Sequence, residues 1–205
     1  MIAIVNYGVG NLTSVLNMFR RIGADAVITD KAEEIKRADR ILLPGVGNFD
    51  TCMQRFNASG LRSEVEKKAH EEKRPLLGIC VGAQMITRGS EEGKEKGLGW
   101  VNAETIRFQL NDQPQLKIPN MGWNELIVSK ESPLWNNLPP EPRFYFAHSY
   151  HFKFDDETMV TGKAYYGYEY PVAFRNGNIF GTQFHPEKSL KYGMKILENF
   201  SKMEL

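Results

Sequence analysis

Cys80 stands between a short apolar run and a helix-compatible segment, in Pro75-Leu-Leu-Gly-Ile-Cys-Val-Gly-Ala-Gln84. The run Leu76 to Ile79 predicts a buried strand. Glycines two residues before and two residues after the cysteine predict a sharp strand-to-helix turn. Such a turn presents the thiol to the positive end of a helix, which favours the thiolate. The spacing therefore predicts a nucleophile, although a free cysteine is more often a small buried hydrophobic residue.

A histidine and a glutamate near the carboxyl end of the chain could activate that thiol. His185 and Glu187 follow a predicted strand, and residues two apart in an extended segment project from the same side. The Glu187 carboxylate could then orient the imidazole, which would take the proton from Cys80. His148 and His151 compete for the role of base, but neither has a carboxylate at that spacing.

The elements that must position these residues change character along the chain. The first half alternates strands with helices, and the second half consists of short strands punctuated by Gly, Pro and Asn. We therefore predict an α/β fold, an open and mostly parallel sheet flanked by helices with an antiparallel, strand-rich extension. The predicted strands are 2–5, 25–28, 40–43, 76–79, 102–108, 124–128, 144–146, 158–164 and 178–183. The predicted helices are 12–22, 31–37, 61–73, 81–87 and 190–203, the last one capped by Ser189.

Two glycine-rich loops follow predicted strands. In the first, Thr13 stands where a dinucleotide-binding fingerprint would need a third glycine after Gly8 and Gly10, which disfavours that interpretation. The second, Pro44-Gly-Val-Gly47, lies at the carboxyl end of a strand, where open α/β sheets bind ligands. Local sequence favours a ligand-binding loop and a simple tight turn equally.

Composition predicts a single cytoplasmic domain over residues 1–205. The 26 Lys and Arg residues nearly balance the 25 Asp and Glu residues, so neither a nucleic acid nor a membrane surface is an expected partner. The amino terminus does not resemble a signal peptide. Cys52 and Cys80 are too few for a disulfide framework, and Cys52 is expected in the core. The histidines and cysteines show no metal-ligand spacing, so no metal is expected.

Several segments together resemble one enzyme family over nearly the whole chain. Gly78-Ile-Cys-Val-Gly-Ala-Gln84 and Phe184-His-Pro-Glu187 resemble the class I (triad) glutamine amidotransferases. Within that family, five segments resemble the glutaminase subunits of imidazole glycerol phosphate synthase. These segments are Asn6-Tyr-Gly-Val-Gly-Asn-Leu12, Leu43-Pro-Gly-Val-Gly47, Met121-Gly-Trp-Asn124, Tyr145-Phe-Ala-His-Ser-Tyr150 and Gln183-Phe-His-Pro-Glu-Lys-Ser189.

The resemblance implies a reaction and a set of residue roles, with no cofactor. Cys80 would attack the side-chain amide of glutamine and give a γ-glutamyl thioester and ammonia, after which water would release glutamate. His185 would act as base and then as acid, with Glu187 orienting it, and Gln84 would contact the substrate. The oxyanion hole would use the backbone N–H groups of Gly45, Val46, Gly47 and Val81.

The resemblance also implies a partner. The glutaminase takes up the whole chain, so ammonia would pass to a separate (β/α)8 barrel cyclase, forming a heterodimer that makes imidazole glycerol phosphate and AICAR in histidine biosynthesis. Trp123, Tyr145 and Lys188 are candidate partner-facing residues, with core or rim packing an equally good explanation for each.

Three positions depart from the family pattern and leave the ammonia acceptor open. Val81, Ala83 and Asn120 stand where Leu, Met and His are usual. These departures also fit paralogues that supply ammonia for amidation of a bacterial surface sugar. A stand-alone cysteine hydrolase and a catalytically silent partner-binding module are the remaining alternatives.

Overall fold

Strands and helices alternate through the first half of the chain, in a computed structural model that describes residues 1–204. The strands are β1 (Ile2–Val5), β2 (Ala26–Thr29), β3 (Arg40–Leu43), β4 (Leu76–Ile79), β5 (Ala103–Arg107), β6 (Asn120–Glu125), β7 (Ile127–Val128), β8 (Arg143–His148), β9 (Tyr150–Phe154), β10 (Val160–Tyr166), β11 (Tyr168–Asn176) and β12 (Ile179–Thr182). The α-helices are α1 (Leu12–Arg21), α2 (Ala32–Arg37), α3 (Phe49–Ala58), α4 (Arg62–Glu66), α5 (Val81–Met85) and α6 (Leu190–Ser201).

The central sheet has eight strands in the order β2-β1-β3-β4-β12-β11-β10-β7. The first five run parallel, and the last three continue the sheet with antiparallel pairs. Two further two-stranded sheets, β5–β9 and β6–β8, form the rest of the antiparallel part. The predicted α/β class, with its parallel sheet and antiparallel extension, is confirmed.

The strands at the centre of the sheet have unbroken apolar sequences, which explains why they are buried. Every residue of β1 and of β4 is buried, as expected for parallel strands that helices cover on both faces. On α1, Val15 and Phe19 are buried one turn apart and face this core. The carboxyl ends of β1, β3, β4 and β12 meet at one edge, which is where open α/β sheets bind ligands.

The structure corrects two element boundaries. The predicted strand 124–128 is two strands, because β6 pairs with β8 whereas β7 pairs with β10, and the buried Leu126 lies between them. The predicted helix 61–73 is α4 followed by a π-helical turn, Lys67–Glu71. Helix α3 was not predicted, although Phe49, Met53 and Phe56 have helical spacing and are buried.

Ser189 does not cap α6 with its side chain, contrary to the sequence-based expectation. Its hydroxyl donates to the His185 carbonyl at 2.6 Å and accepts from the Tyr145 N–H at 2.9 Å. It is therefore used to join the turn after β12 to β8. None of the helices in residues 1–204 is long and apolar enough to cross a membrane.

Candidate active site

Cys80 occupies a strained turn between β4 and α5. Its backbone has φ 52° and ψ −115°, in a region that residues with a Cβ rarely adopt. The backbone N–H of Cys80 donates to the Thr182 carbonyl of β12 at 2.8 Å. The sharp strand-to-helix turn is therefore as predicted, and it is held from the strand that leads to His185.

Glycines let the Pro44–Gly47 loop lie directly against this turn. A Cβ on Gly82 would stand 2.1 Å from the Leu43 carbonyl oxygen, and one on Gly45 would stand 2.3 Å from the Gly82 nitrogen. Neither separation is compatible with a side chain. The two glycines are thus required for close backbone approach, which places the Gly45–Gly47 loop beside the thiol.

His185 and Glu187 form a buried pair next to Cys80. The Nδ1–H of His185 donates to Glu187 Oε1 at 2.9 Å, and both side chains are almost fully buried. Glu187 reaches the imidazole through a 3-10 turn, Pro186–Lys188, and not through the extended segment assumed from sequence. Burial lowers the pKa of His185, but the neighbouring Cys80 and Glu187 outweigh it and raise that pKa to about 10. The surroundings of His185 therefore favour its protonated form beside Cys80.

The competing histidines are fully used in other contacts. His148 donates from Nδ1 to the Tyr150 carbonyl at 2.7 Å and accepts at Nε2 from the Tyr170 hydroxyl at 3.4 Å. Burial lowers its pKa to about 3. His151 likewise donates to the Phe152 carbonyl and lies 2.9 Å from the Tyr168 hydroxyl. Both imidazoles hold the antiparallel part of the molecule together.

A cavity of about 380 Å³ opens onto the thiol. It is lined by Cys80 and His185, by part of the Pro44–Gly47 loop, and by polar side chains from other segments. Its lining comprises Val46, Gly47, Cys80, Val81, Gln84, Glu92, Pro119, Met121, Ala147, His148, Ser149, Tyr150, His185 and Lys188. A volume of this size is typical of small-molecule sites.

One of the expected oxyanion donors, and three carbonyl groups of the Pro44–Gly47 loop, are engaged by the protein itself. The Val81 N–H donates to the Gly45 carbonyl at 3.2 Å. The Cys52 thiol, buried as expected, donates to the Val46 carbonyl at 3.5 Å, and the Tyr7 hydroxyl donates to the Pro44 carbonyl. These three contacts hold the loop with its carbonyl groups turned towards internal donors.

Glu92 lines the cavity, although the sequence did not single it out. Its Oε2 accepts from the Phe49 N–H at 2.8 Å, at the first residue of α3. Asp50 fixes the same loop by accepting from the N–H groups of Lys94 and Glu95, each at 2.9 Å. The sequence shows only a polar loop here, since these contacts join segments more than forty residues apart.

The three candidate partner-facing residues lie together at the rim of the cavity. The rings of Trp123 and Tyr145 are 6.2 Å apart, and Lys188 Nζ lies 5.6 Å from the centre of the Tyr145 ring. Trp123 is 45% exposed and Met121 is 64% exposed. Because Met121 also lines the cavity, this apolar surface is continuous with the mouth of the site.

Within residues 1–204, no group of three or more His, Cys, Asp or Glu side chains is arranged to hold a metal ion. The polar atoms of the cavity wall come instead from amides, imidazoles and single carboxylates.

Comparison with protein families and curated relatives gives consistent matches. The family model for glutamine amidotransferase class-I matches residues 3–203. Imidazole glycerol phosphate synthase subunit HisH 2 of Methanococcus maripaludis is 47% identical over 202 residues, covering 98% of this chain and 99% of the relative. Subunit HisH 1 of Campylobacter jejuni strain 81-176 is 41% identical over 204 residues, covering 99% of this chain and all of the relative.

Solved structures share the fold at lower identity. A crystal structure of a glutamine amidotransferase superposes with a TM-score of 0.75 at 22% identity, covering 98% of this chain and 97% of that one. PurLQS from Thermotoga maritima gives a TM-score of 0.68 at 21% identity, covering 97% and 96%. At such identities, these likenesses concern the fold alone.

Proposed function

The chain belongs to the class-I glutamine amidotransferases, and from that membership we propose that it is the glutaminase subunit of an imidazole glycerol phosphate synthase. The observation that carries the chemistry is the arrangement of Cys80, His185 and Glu187. A strained turn presents the thiol, the imidazole lies beside it, and the carboxylate binds the far imidazole nitrogen. This is how a nucleophile, a base and an orienting group cooperate in acyl transfer.

The reaction uses each member of this triad in turn. The Cys80 thiolate attacks the side-chain carbonyl carbon of glutamine, and the C–N bond breaks as the His185 imidazolium protonates the departing ammonia. A γ-glutamyl thioester remains on the sulfur. The neutral imidazole then takes a proton from water, the water oxygen attacks the thioester, and glutamate leaves as the protonated imidazole and thiolate are restored. Glu187 keeps the Nδ1 proton in place throughout.

Two side chains of the cavity wall suit the rest of the substrate. We assign Glu92 to the α-ammonium group of glutamine, because it is the carboxylate of the lining and is held by the α3 backbone. We assign Gln84 a direct contact with the substrate. Its Nε2 already donates to protein acceptors, so its carbonyl oxygen is the atom left to accept from the ligand.

The conformation of the Pro44–Gly47 loop supports slow glutamine hydrolysis in the isolated chain. Oxyanion stabilisation requires the Val81 N–H, which now donates to the Gly45 carbonyl. Rotation of the Gly45–Gly47 peptides would release this donor and turn further N–H groups towards the oxyanion. Loss of one such donor slows acyl transfer by about 100- to 1000-fold. We therefore propose slow hydrolysis in the isolated chain and faster hydrolysis when a partner stabilises the rotated loop.

The partner would be a separate (β/α)8 barrel cyclase that consumes the ammonia. The curated relatives are named as subunits of a synthase, which supports a complex of chains. The exposed Met121 and Trp123 at the mouth of the cavity are suited to dock it. The names of the relatives favour imidazole glycerol phosphate synthesis in the histidine pathway over the surface-sugar alternative.

Labelling with a diazoketone analogue of glutamine tests the nucleophile directly. We expect one adduct, located on Cys80 by mass spectrometry of peptides, and competition by glutamine. Cys80→Ala should abolish labelling and glutamine hydrolysis while ammonium salts still support the partner's reaction. Absence of a Cys80 adduct would instead favour a catalytically silent binding module.

A further inference from the structure

Gln183 is a buried polar residue with no role in the triad mechanism. It lies two residues before His185, directly after β12, and is fully buried. Its backbone N–H donates to the Val172 carbonyl at 2.8 Å, which continues the antiparallel pairing with β11. A primary amide in such a position needs partners for its donors and its acceptor. The hydrogen-bond partners of the Gln183 side chain therefore indicate what this residue does.

The Gln183 side chain bridges the nucleophile and the substrate wall. Its Nε2 lies 3.8 Å from Cys80 Sγ, and its Oε1 accepts from Gln84 Nε2 at 3.0 Å. Gln84 Nε2 also donates to the Tyr150 carbonyl at 3.3 Å. A continuous chain of hydrogen bonds thus runs from a backbone carbonyl, through two amides, to the sulfur.

The Tyr150 carbonyl fixes which atoms of the two side-chain amides donate and which accept. A backbone carbonyl only accepts, so the group that Gln84 turns to Tyr150 must be its NH2. That NH2 group can donate to Gln183 only at the carbonyl oxygen. The NH2 group of Gln183 is consequently directed at Cys80, and neither amide can be flipped without placing two donors or two acceptors together.

We infer that Gln183 is a further catalytic residue, whose side-chain amide donates to the Cys80 sulfur and stabilises the thiolate. A hydrogen bond to a charged acceptor is about twice as strong as one to a neutral acceptor. It therefore favours the thiolate before attack and again when the sulfur leaves in hydrolysis of the thioester. Gln84 orients Gln183 and also faces the cavity. A contact between Gln84 and the substrate is therefore linked to the Cys80 sulfur through two hydrogen bonds. This role rests on the proposed glutaminase function.

Alkylation of Cys80 by iodoacetamide tests the inference without any turnover. The rate is measured against pH by peptide mass spectrometry in the wild type, Gln183→Met and Gln183→Glu. Methionine keeps the approximate shape but has no donor, and glutamate keeps the acceptor used by Gln84 but puts an anion beside the sulfur. We expect the pH of half-maximal rate to rise by about one unit in Gln183→Met and further in Gln183→Glu.

Glutamine hydrolysis provides the second readout. We expect kcat to fall about 10-fold in Gln183→Met with KM within about twofold, because the lost contact is to the reacting sulfur. Gln115→Met, on the exposed loop where Gln115 contacts Gln113, is the matched control and should behave as the wild type. Thermal unfolding of each variant verifies folding, and Gln183→Glu, which keeps the Gln84 contact, serves if Gln183→Met does not fold.

A coincident pH profile for Gln183→Met and the wild type, or a rise in KM with kcat unchanged, would overturn the inference and make Gln183 a pocket-shaping residue. Failure of the proposed function is a different result. In that case no condition yields glutamate from glutamine, whereas the alkylation profiles still decide the role of Gln183.

Discussion

Cys80 and Thr182 are joined by a backbone hydrogen bond of 2.8 Å across adjacent parallel strands. The register pairs Ile79 with Thr182, so Cys80 follows one strand at the same level at which the segment leading to His185 leaves the other. The separation of Cys80 and His185 is consequently set by the pairing of these two strands, which lie about 4.8 Å apart. Surface loops do not determine it.

The triad assignment predicts a ranking of variants. His185→Asn should lower glutamine hydrolysis by at least about 100-fold, because a positioned base typically contributes that much. Glu187→Gln should cost less, since an amide oxygen can still accept from Nδ1. His148→Asn in the isolated chain is the matched control. Steady-state glutamate release measures all three, and an equal loss in His148→Asn and His185→Asn would show that the base is misassigned.

Burial of His148 predicts acid sensitivity of the fold. Its folded pKa of about 3 is below the value of about 6.5 for an unfolded histidine. The unfolded state therefore binds more protons as the pH falls through this window, and the free energy of unfolding decreases between about pH 6.5 and pH 3.

Urea unfolding of the wild type and His148→Asn over this window measures the effect. Subtracting one slope from the other isolates His148 from His151, whose pKa burial also lowers. We expect a shallower pH dependence in His148→Asn. Identical slopes would mean that His148 is accessible to protons in the folded state.

Close backbone approach at Gly82 predicts a loss of both stability and activity on substitution. In Gly82→Ala the new Cβ would meet the Leu43 carbonyl and displace the glycine loop, costing about 2 kcal/mol of unfolding free energy and at least 10-fold in kcat. Gly23→Ala is the control for a glycine substitution without a close contact, because Gly23 has a positive φ, which Gly82 does not, and has open space around its Cβ position. It should lose about 1 kcal/mol and no activity. Full activity in Gly82→Ala would show that the contact is dispensable.

If a partner stabilises the rotated loop, its binding should raise kcat for glutamine hydrolysis more than it changes KM. Glutamate release should be slow in the isolated chain and rise about 100-fold or more when the co-purifying synthase and its acceptor ligand are added. Trp123→Ala should weaken the complex about 30-fold, as expected for a buried aromatic anchor. His70→Ala, an exposed residue before β4, is the matched control. Full activity without a partner would favour the stand-alone hydrolase.

Local patterns predicted the parts of the fold that local forces determine. The bounds of β1, β3 and β4 match their apolar runs, because strands covered on both faces require unbroken apolar sequence. The glycines around Cys80 likewise indicated the turn. The break between β6 and β7 could not be predicted, since it depends on which distant strands each segment pairs with.

The parts of the site that sequence missed are long-range. Gln84 and Gln183 are separated by 99 residues, and no periodicity in either segment indicates that their amides meet. Glu92 stands in a charged loop that resembles solvated surface until α3 is placed against it. Even the His185–Glu187 pair, expected from spacing, forms through a different backbone conformation.

The contact between Asp50 and the loop around Glu92 has a consequence for building chimeras between relatives. A Cβ on Gly93 would stand 1.9 Å from Asp50 Oδ1, so a side chain at this position would displace the carboxylate from the backbone N–H groups that it accepts from. Asp50 in turn needs the N–H groups of Lys94 and Glu95 as partners. If the loop were exchanged without the first turn of α3, the Asp50 carboxylate would face a foreign loop whose N–H groups are not placed to donate to it. The two segments, distant in sequence, are therefore one exchangeable module and should recombine only as a pair.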